Sequence, residues 1–125
     1  MREILFRGVG TNTGRWEFGN LVRFTNGDCA IINGSGSDSY LLLHVRPETV
    51  GQYTGLDDKY GVKIFDGDIV REHVNDYTPI YQNGIYMAYN VDKINDPYVS
   101  TQFNVIWRNG CEVISNIHGN EVEND

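Results

Sequence analysis

Four aspartates crowd the stretch VGQYTGLDDKYGVKIFDGDIVREHV, residues 50–74: Asp57, Asp58, Asp66 and Asp68. Carboxylates at that density suit cation binding or paired acid–base hydrolysis. A calcium loop needs alternating oxygen ligands, a glycine at its sixth position and a closing bidentate glutamate. DDKYGVKIFDGD lacks that register and has no flanking helices. A paired-carboxylate hydrolase needs two acids held roughly 5 to 10 Å apart in a cleft. Turn chemistry explains more of the pattern. Asp bonds its own backbone and Gly accepts positive φ, so LDDKYG reads as one turn. Asp66-Gly67 reads as a second, opening a strand over residues 68–74 that places Val70 with Glu72 and Ile69 with Arg71.

Other chemistry finds less support. His44, His73, His118, Cys29 and Cys111 include zinc-type ligands, but no C-x-x-C or H-x-x-x-H spacing joins them. Neither cysteine has a basic cluster or helix start beside it to make it a nucleophile. There is no nucleophile elbow, and the one Gly-Ser run precedes a strand, not a helix, so no phosphate cradle forms. The expectation is no catalytic residue, no metal and no cofactor.

The chain has 125 residues and a formal net charge of −7. That charge opposes generic nucleic-acid binding, which runs on phosphate contacts. The only basic excess is Arg2, Arg7, Arg15 and Arg23, read as solvated strand arginines. A strand-binding module would need them on one face beside exposed Tyr or Trp16. Two distant cysteines and a charged start, MREILFRGVG, point to a reducing, cytoplasmic setting. The longest apolar run, YLLLHV, is too short to cross a membrane.

The elements that must position these residues are strands. In RWEFGNLVRF, Trp16, Phe18, Val22 and Phe24 fall on alternate positions, the spacing of a strand with one buried face. Asn-Gly turns at Asn26, Asn83 and Asn109 predict three hairpins: LVRFTNGDCAII, IYQNGIYMAY and FNVIWRNGCEVI. GTNTG joins the first two strands, and residues 33–39 form a loop. No window sustains helical periodicity over three turns; single turns are expected after Pro47 and around Pro97. About ten short strands imply a mainly β chain: a small barrel-like or two-subdomain β fold built of hairpins, with little helix. It is read as one domain over 1–125, divided at about 1–46 and 47–118, with an acidic tail at 119–125.

The segment NDYTPIYQNGIYMAYNV is apolar on both strand faces. Ile80, Tyr81, Ile85, Tyr86, Met87 and Tyr89 are therefore the candidate interaction surface, packing on the chain's own body or on a neighbour. Open strand edges invite pairing, so a closed homo-oligomer is expected, or failing that a complex with another protein.

ETVGQYTGLDDKYGVKIFDGDIV resembles the signature of the YopX-like proteins of phages and prophages, T-V-G-Q-Y-T-G-L-x-D-x-x-G-x-x-I-[FY]-x-G-D-I-V, here running from Thr49 to Val70. ILFRG followed by GRWEFGNL resembles that family's R-G and G-x-W-x-x-G. VIWRNGCEVISNIHGN resembles its closing V-x-[WF] strand and E-V-I-G-N-I-[YH], with Ser115 in place of Gly. Residues 72–98 match nothing in the pattern. The resemblance implies a phage-encoded, mostly β protein and carries over no catalytic residue. The reading that follows is a non-enzymatic interaction or assembly module whose partner is itself or another phage or host protein. The alternative is a nucleic-acid-associated β module of phage DNA metabolism or packaging, which the acidic charge does not favour.

Overall fold

The structure is a computed structural model; it describes residues 3–34, 40–91 and 100–118. The expected turn around Pro97, the acidic tail, Arg2 and most of the 33–39 loop lie outside those residues. Eleven strands and one helix are described. In chain order they are β1 (Phe6–Val9), β2 (Trp16–Arg23), β3 (Cys29–Gly34), β4 (Tyr40–Val45), β5 (Gly51–Asp57), β6 (Lys63–Phe65), β7 (Asp68–Glu72), β8 (Asn75–Gln82), β9 (Ile85–Asn90), β10 (Ser100–Gln102), α1 (Phe103–Arg108) and β11 (Glu112–Asn116). The fold is mainly β, in two antiparallel sheets of order β4-β3-β2-β1-β5-β6 and β10-β9-β8-β7-β11, with no closed barrel among the described residues. The chain divides into two compact units, Met1–Tyr53 with His118–Asp125, and Thr54–Ile117.

In the first unit, β2 and β3 make the first expected hairpin, with Arg23 opposite Cys29. The core is Cys29, Ile31 and Val45, with Phe6, Leu21 and Val50 packed against it. The strand was legible from its alternation, but its inner face was not. Phe18 and Phe24 are exposed, and Leu21 packs inward from the opposite set. Aromatic size alone does not choose a face; register against β3 does, and it sets Leu21 opposite the fully buried Ile31. The turn after Arg46 is a 3-10 turn over Pro47–Thr49.

In the second unit, Ile64, Val70, Ala88, Phe103, Ile106 and Cys111 form the core. β8 and β9 are the second expected hairpin. Gln82 pairs with Ile85 across Asn83 and Gly84, at φ 54° and 89°, the positive angles a type I′ turn needs. The third expected hairpin does not form. FNVIWR is helix α1, burying Phe103 and Ile106 three residues apart, and the V-x-[WF] segment lies within it. Asn109-Gly110 ends this helix rather than turning a hairpin: Gly110 takes φ 86° and its N–H donates to the Trp107 carbonyl at 3.0 Å, where glycine relieves the Cβ clash. A helix of fewer than two turns is too short to show a 3.6-residue period. β7 also stops at Glu72, before residue 74, because His73 adopts φ 57° and starts the turn into β8.

Candidate functional site

The aspartate stretch is built from β5, β6 and β7 and their turns. Asp58 is buried. Its Oδ1 accepts the Tyr60 and Val62 N–H groups at 2.8 and 2.9 Å, and its Oδ2 accepts the Val113 N–H at 2.9 Å. One carboxylate thus closes the 58–62 turn and ties it to β11. The turn also donates the Lys59 N–H to the Cys111 carbonyl at 3.1 Å. Asp68 is buried as well and accepts the Phe65 N–H at 2.8 Å, closing the tight turn in which Gly67 takes φ 92°. Asp57 is exposed, and its carbonyl accepts the Trp107 indole N–H at 2.7 Å.

The Thr49 and Thr54 hydroxyls likewise bond to backbone. Thr49 donates to the Arg46 carbonyl at 2.6 Å and accepts the Val9 N–H at 2.9 Å, fastening the 3-10 turn to β1. Thr54 donates to the Ile64 carbonyl at 2.8 Å and accepts the Leu56 N–H at 3.2 Å, bracketing Gly55 at φ 87°. Asp57 and Asp58 do line an open groove of about 320 Å³ with Lys59, Trp107, Arg108 and Gly110. Both Asp58 oxygens are already engaged by backbone, however, so the groove does not present two available carboxylates. Among the described residues no three His, Cys, Asp or Glu side chains group as a metal site.

The cysteines are free and buried. Burial pushes the Cys111 thiol up to about 11, with the Asp58 and Glu72 carboxylates adding to the shift and Lys59 opposing it. Glu72 is itself fixed by the Asn109 amide, which donates to its Oε2 at 2.7 Å. The thiolate needed for nucleophilic attack is therefore disfavoured. A stability cost follows with a definite sign. The unfolded thiol ionises near its ordinary 9.0, so the unfolded chain loses this proton first. The contribution is intact below that pH and is lost as pH rises towards 11. Denaturant midpoints measured from pH 8 to 11 are expected to fall less steeply for Cys111→Ala than for the wild type.

Among the described residues, Arg7 and Arg23 do not share a face. Arg7 is buried, its guanidinium carbon 4.0 Å from the centroid of the Trp16 ring. The register Arg7↔Phe18 and Val9↔Trp16 puts Arg7 and Trp16 on the same side of the sheet, where diagonal neighbours touch. Arg23 stands on the opposite side of β2 from Trp16 and Phe18, with its guanidinium 3.5 Å from the Cys29 sulfur. His118 meets the Trp16 ring edge-on at 5.8 Å, and His44 stacks on Phe24 at 5.9 Å.

The six residues singled out on the β8–β9 hairpin are split by its register. Tyr81 and Tyr86 lie opposite each other on the side of Ala88, which is fully buried. Tyr86 packs against the core, and the Tyr81 ring meets it edge-on at 5.1 Å. Ile80, Ile85, Met87 and Tyr89 share the other side with the buried Thr78. Tyr89 donates its hydroxyl to the Gln82 side chain. Tyr81 and Ile85 are the two most exposed of the six, at 56% and 44%.

A family model described as YopX protein matches residues 6–122, nearly the whole chain. The chain belongs to the YopX family. The YopX signature can now be read residue by residue as architecture. In the pattern quoted above, the two named aspartates, Asp58 and Asp68, are the buried pair that accept backbone N–H groups; Asp57 and Asp66 stand at its unspecified positions. The R-G of the YopX start is the buried Arg7 and then Gly8, where a Cβ would lie 2.9 Å from Val45 Cβ. The chain is also similar to the solved "Crystal structure of protein EF1440 from Enterococcus faecalis", at 24% identity over 96% of each chain and a TM-score of 0.55. At that identity the likeness is one of fold. No curated protein matches the chain.

Sequence reasoning missed the backbone role of Thr49 and Thr54. A threonine two residues after Pro47 and another immediately before Gly55 were the available signal.

Proposed function

We propose that this YopX-family chain is a phage-derived interaction or assembly module of the bacterial cytoplasm, acting by binding its own copies and through them other proteins, without catalysis. The observation that carries this reading is the use of the signature's polar groups. Asp58, Asp68, Thr49 and Thr54 are each committed to backbone hydrogen bonds, so the most site-like stretch of the chain holds the fold together. Large apolar side chains are also exposed, among them Tyr81 and Ile85 on the hairpin and Leu41 and Leu42 on β4. No helix among the described residues is long and apolar enough to cross a membrane. The nucleic-acid alternative gains nothing from Arg7 and Arg23, which face opposite sides of a sheet.

Light scattering coupled to size exclusion tests the assembly reading. At tens of micromolar the full chain is expected to elute at a whole multiple of its 14.2 kDa mass, with a closed dimer as the simplest case. A monomer mass at that concentration overturns it.

A further inference from the structure

Four strands end the two sheets: β4 and β6 in one, β10 and β11 in the other. A free edge presents unpaired N–H and C=O groups, and proteins blunt such edges by short length, charge, proline or a bulge. β6 has three residues and starts with Lys63. β10 is Ser100, Thr101 and Gln102. β11 starts with Glu112, and its pairing with β7 shifts register between Val113 and Ser115. β4 has none of these devices. It runs six residues with three consecutive leucines in unbroken register against β3, and Leu41 and Leu42 are 61% and 51% exposed.

The C-terminal end of β4 is already engaged. Thr11 donates its N–H to the His44 carbonyl at 2.9 Å, and Arg46 donates to the Val9 carbonyl at 2.8 Å, around the bridge between Gly10 and Val45. These bonds reveal which backbone groups face away from β3. Bonding direction alternates along a strand, so with His44 facing outward, Leu42 faces outward too, and Leu41 and Leu43 face β3. Two antiparallel copies related by a two-fold axis normal to the sheet must keep side chains on matching faces, so one residue sits on the axis opposite itself. Leu42 has the outward N–H and C=O for that place. Its N–H reaches the carbonyl of the second copy's Leu42 and its carbonyl receives the N–H in return. Leu41 then stands opposite the second copy's Leu43. The chain carries a net charge of −7, which repels copies, but β4 contains no Asp or Glu to oppose the pairing.

We infer that the open edge of β4, centred on Leu42, is the dimerisation strand, taking β4 of a second copy of this chain in antiparallel alignment. The inference rests on the assembly reading and names its surface. The test is the solution mass of the full chain and its variants at tens of micromolar. The wild type is expected as a dimer. Leu42→Pro, which deletes the outward N–H and leaves the β3 ladder intact, is expected as a monomer. So is the Leu41→Lys, Leu42→Lys double variant, which sets like charges across the axis and keeps every backbone group. Ile85→Asp with Met87→Asp, on the hairpin, is expected to remain a dimer. Circular dichroism identifies any variant that fails to fold, and the lysine variant decides the matter if the proline variant does not. A folded lysine variant that stays dimeric, or dissociation by the hairpin variant alone, overturns the β4 assignment and leaves self-assembly standing. A monomeric wild type overturns both.

Discussion

Asp58→Ala is expected to destabilise the second unit by about 3 kcal/mol or more, read as a lower denaturant midpoint. Three N–H groups, those of Tyr60, Val62 and Val113, lose a charged acceptor at once. Hydrogen bonds to a charged partner contribute about 1.5 to 3 kcal/mol each, and water recovers part of that at the exposed Tyr60 and Val62. Asp58→Asn is expected to recover only part of the loss. Its one carbonyl oxygen can serve Tyr60 and Val62, but its amide would then meet the Val113 N–H donor to donor. Asp57→Ala is the control, expected within about 1 kcal/mol because the side chain is exposed. The comparison separates architecture from catalysis. Functional carboxylates are commonly held at a cost to stability, so removing one often leaves stability unchanged or raised. An Asp58→Ala midpoint equal to wild type would return the aspartate stretch to the list of active-site candidates.

Gly19→Ala is expected to cost the first unit about 3 kcal/mol or more. A Cβ at Gly19 would fall well inside contact of the Ile32 carbonyl oxygen and 3.0 Å from the Ile31 side chain. The oxygen is backbone, and β2 and β3 are locked in register by Asn20↔Ile32 and Leu21↔Ile31. Relief requires the two strands to part beside the core residue Ile31. Gly27→Ala is the matched control. Gly27 has φ 95° but open space around the Cβ position, so only backbone strain of about 1 kcal/mol is at stake. Thermal or denaturant unfolding of the pair distinguishes crowding from strain. Equal, small effects at both sites would show that β2 and β3 can accommodate the methyl group.

Much of this architecture was written locally. Asn83-Gly84 specified its hairpin because two adjacent residues needed positive φ and both could adopt it. Pro47 marked its 3-10 turn, and the YopX pattern from Thr49 to Val70 marked the family. The turn interpretation of the aspartates was legible too, since Asp and Gly at those spacings have a local backbone use. Other features had no local signal. Asn109-Gly110 offered the same dipeptide as Asn83-Gly84 but capped a helix. What differed was that Phe103 and Ile106 could bury against Ile64, Val70 and Ala88, contacts distant in sequence. The bond from Val113 to Asp58 spans 55 positions, so the sequence alone could assign Asp58 to its own turn but not to β11. The apolar hairpin residues were visible as a group, yet only the register Tyr81↔Tyr86 and Ile80↔Met87 decided which turn to the core. Strand identity comes from φ and ψ preferences of neighbouring residues, whereas strand face, edge status and helix docking come from which distant backbone pairs, and only the tertiary structure decides that.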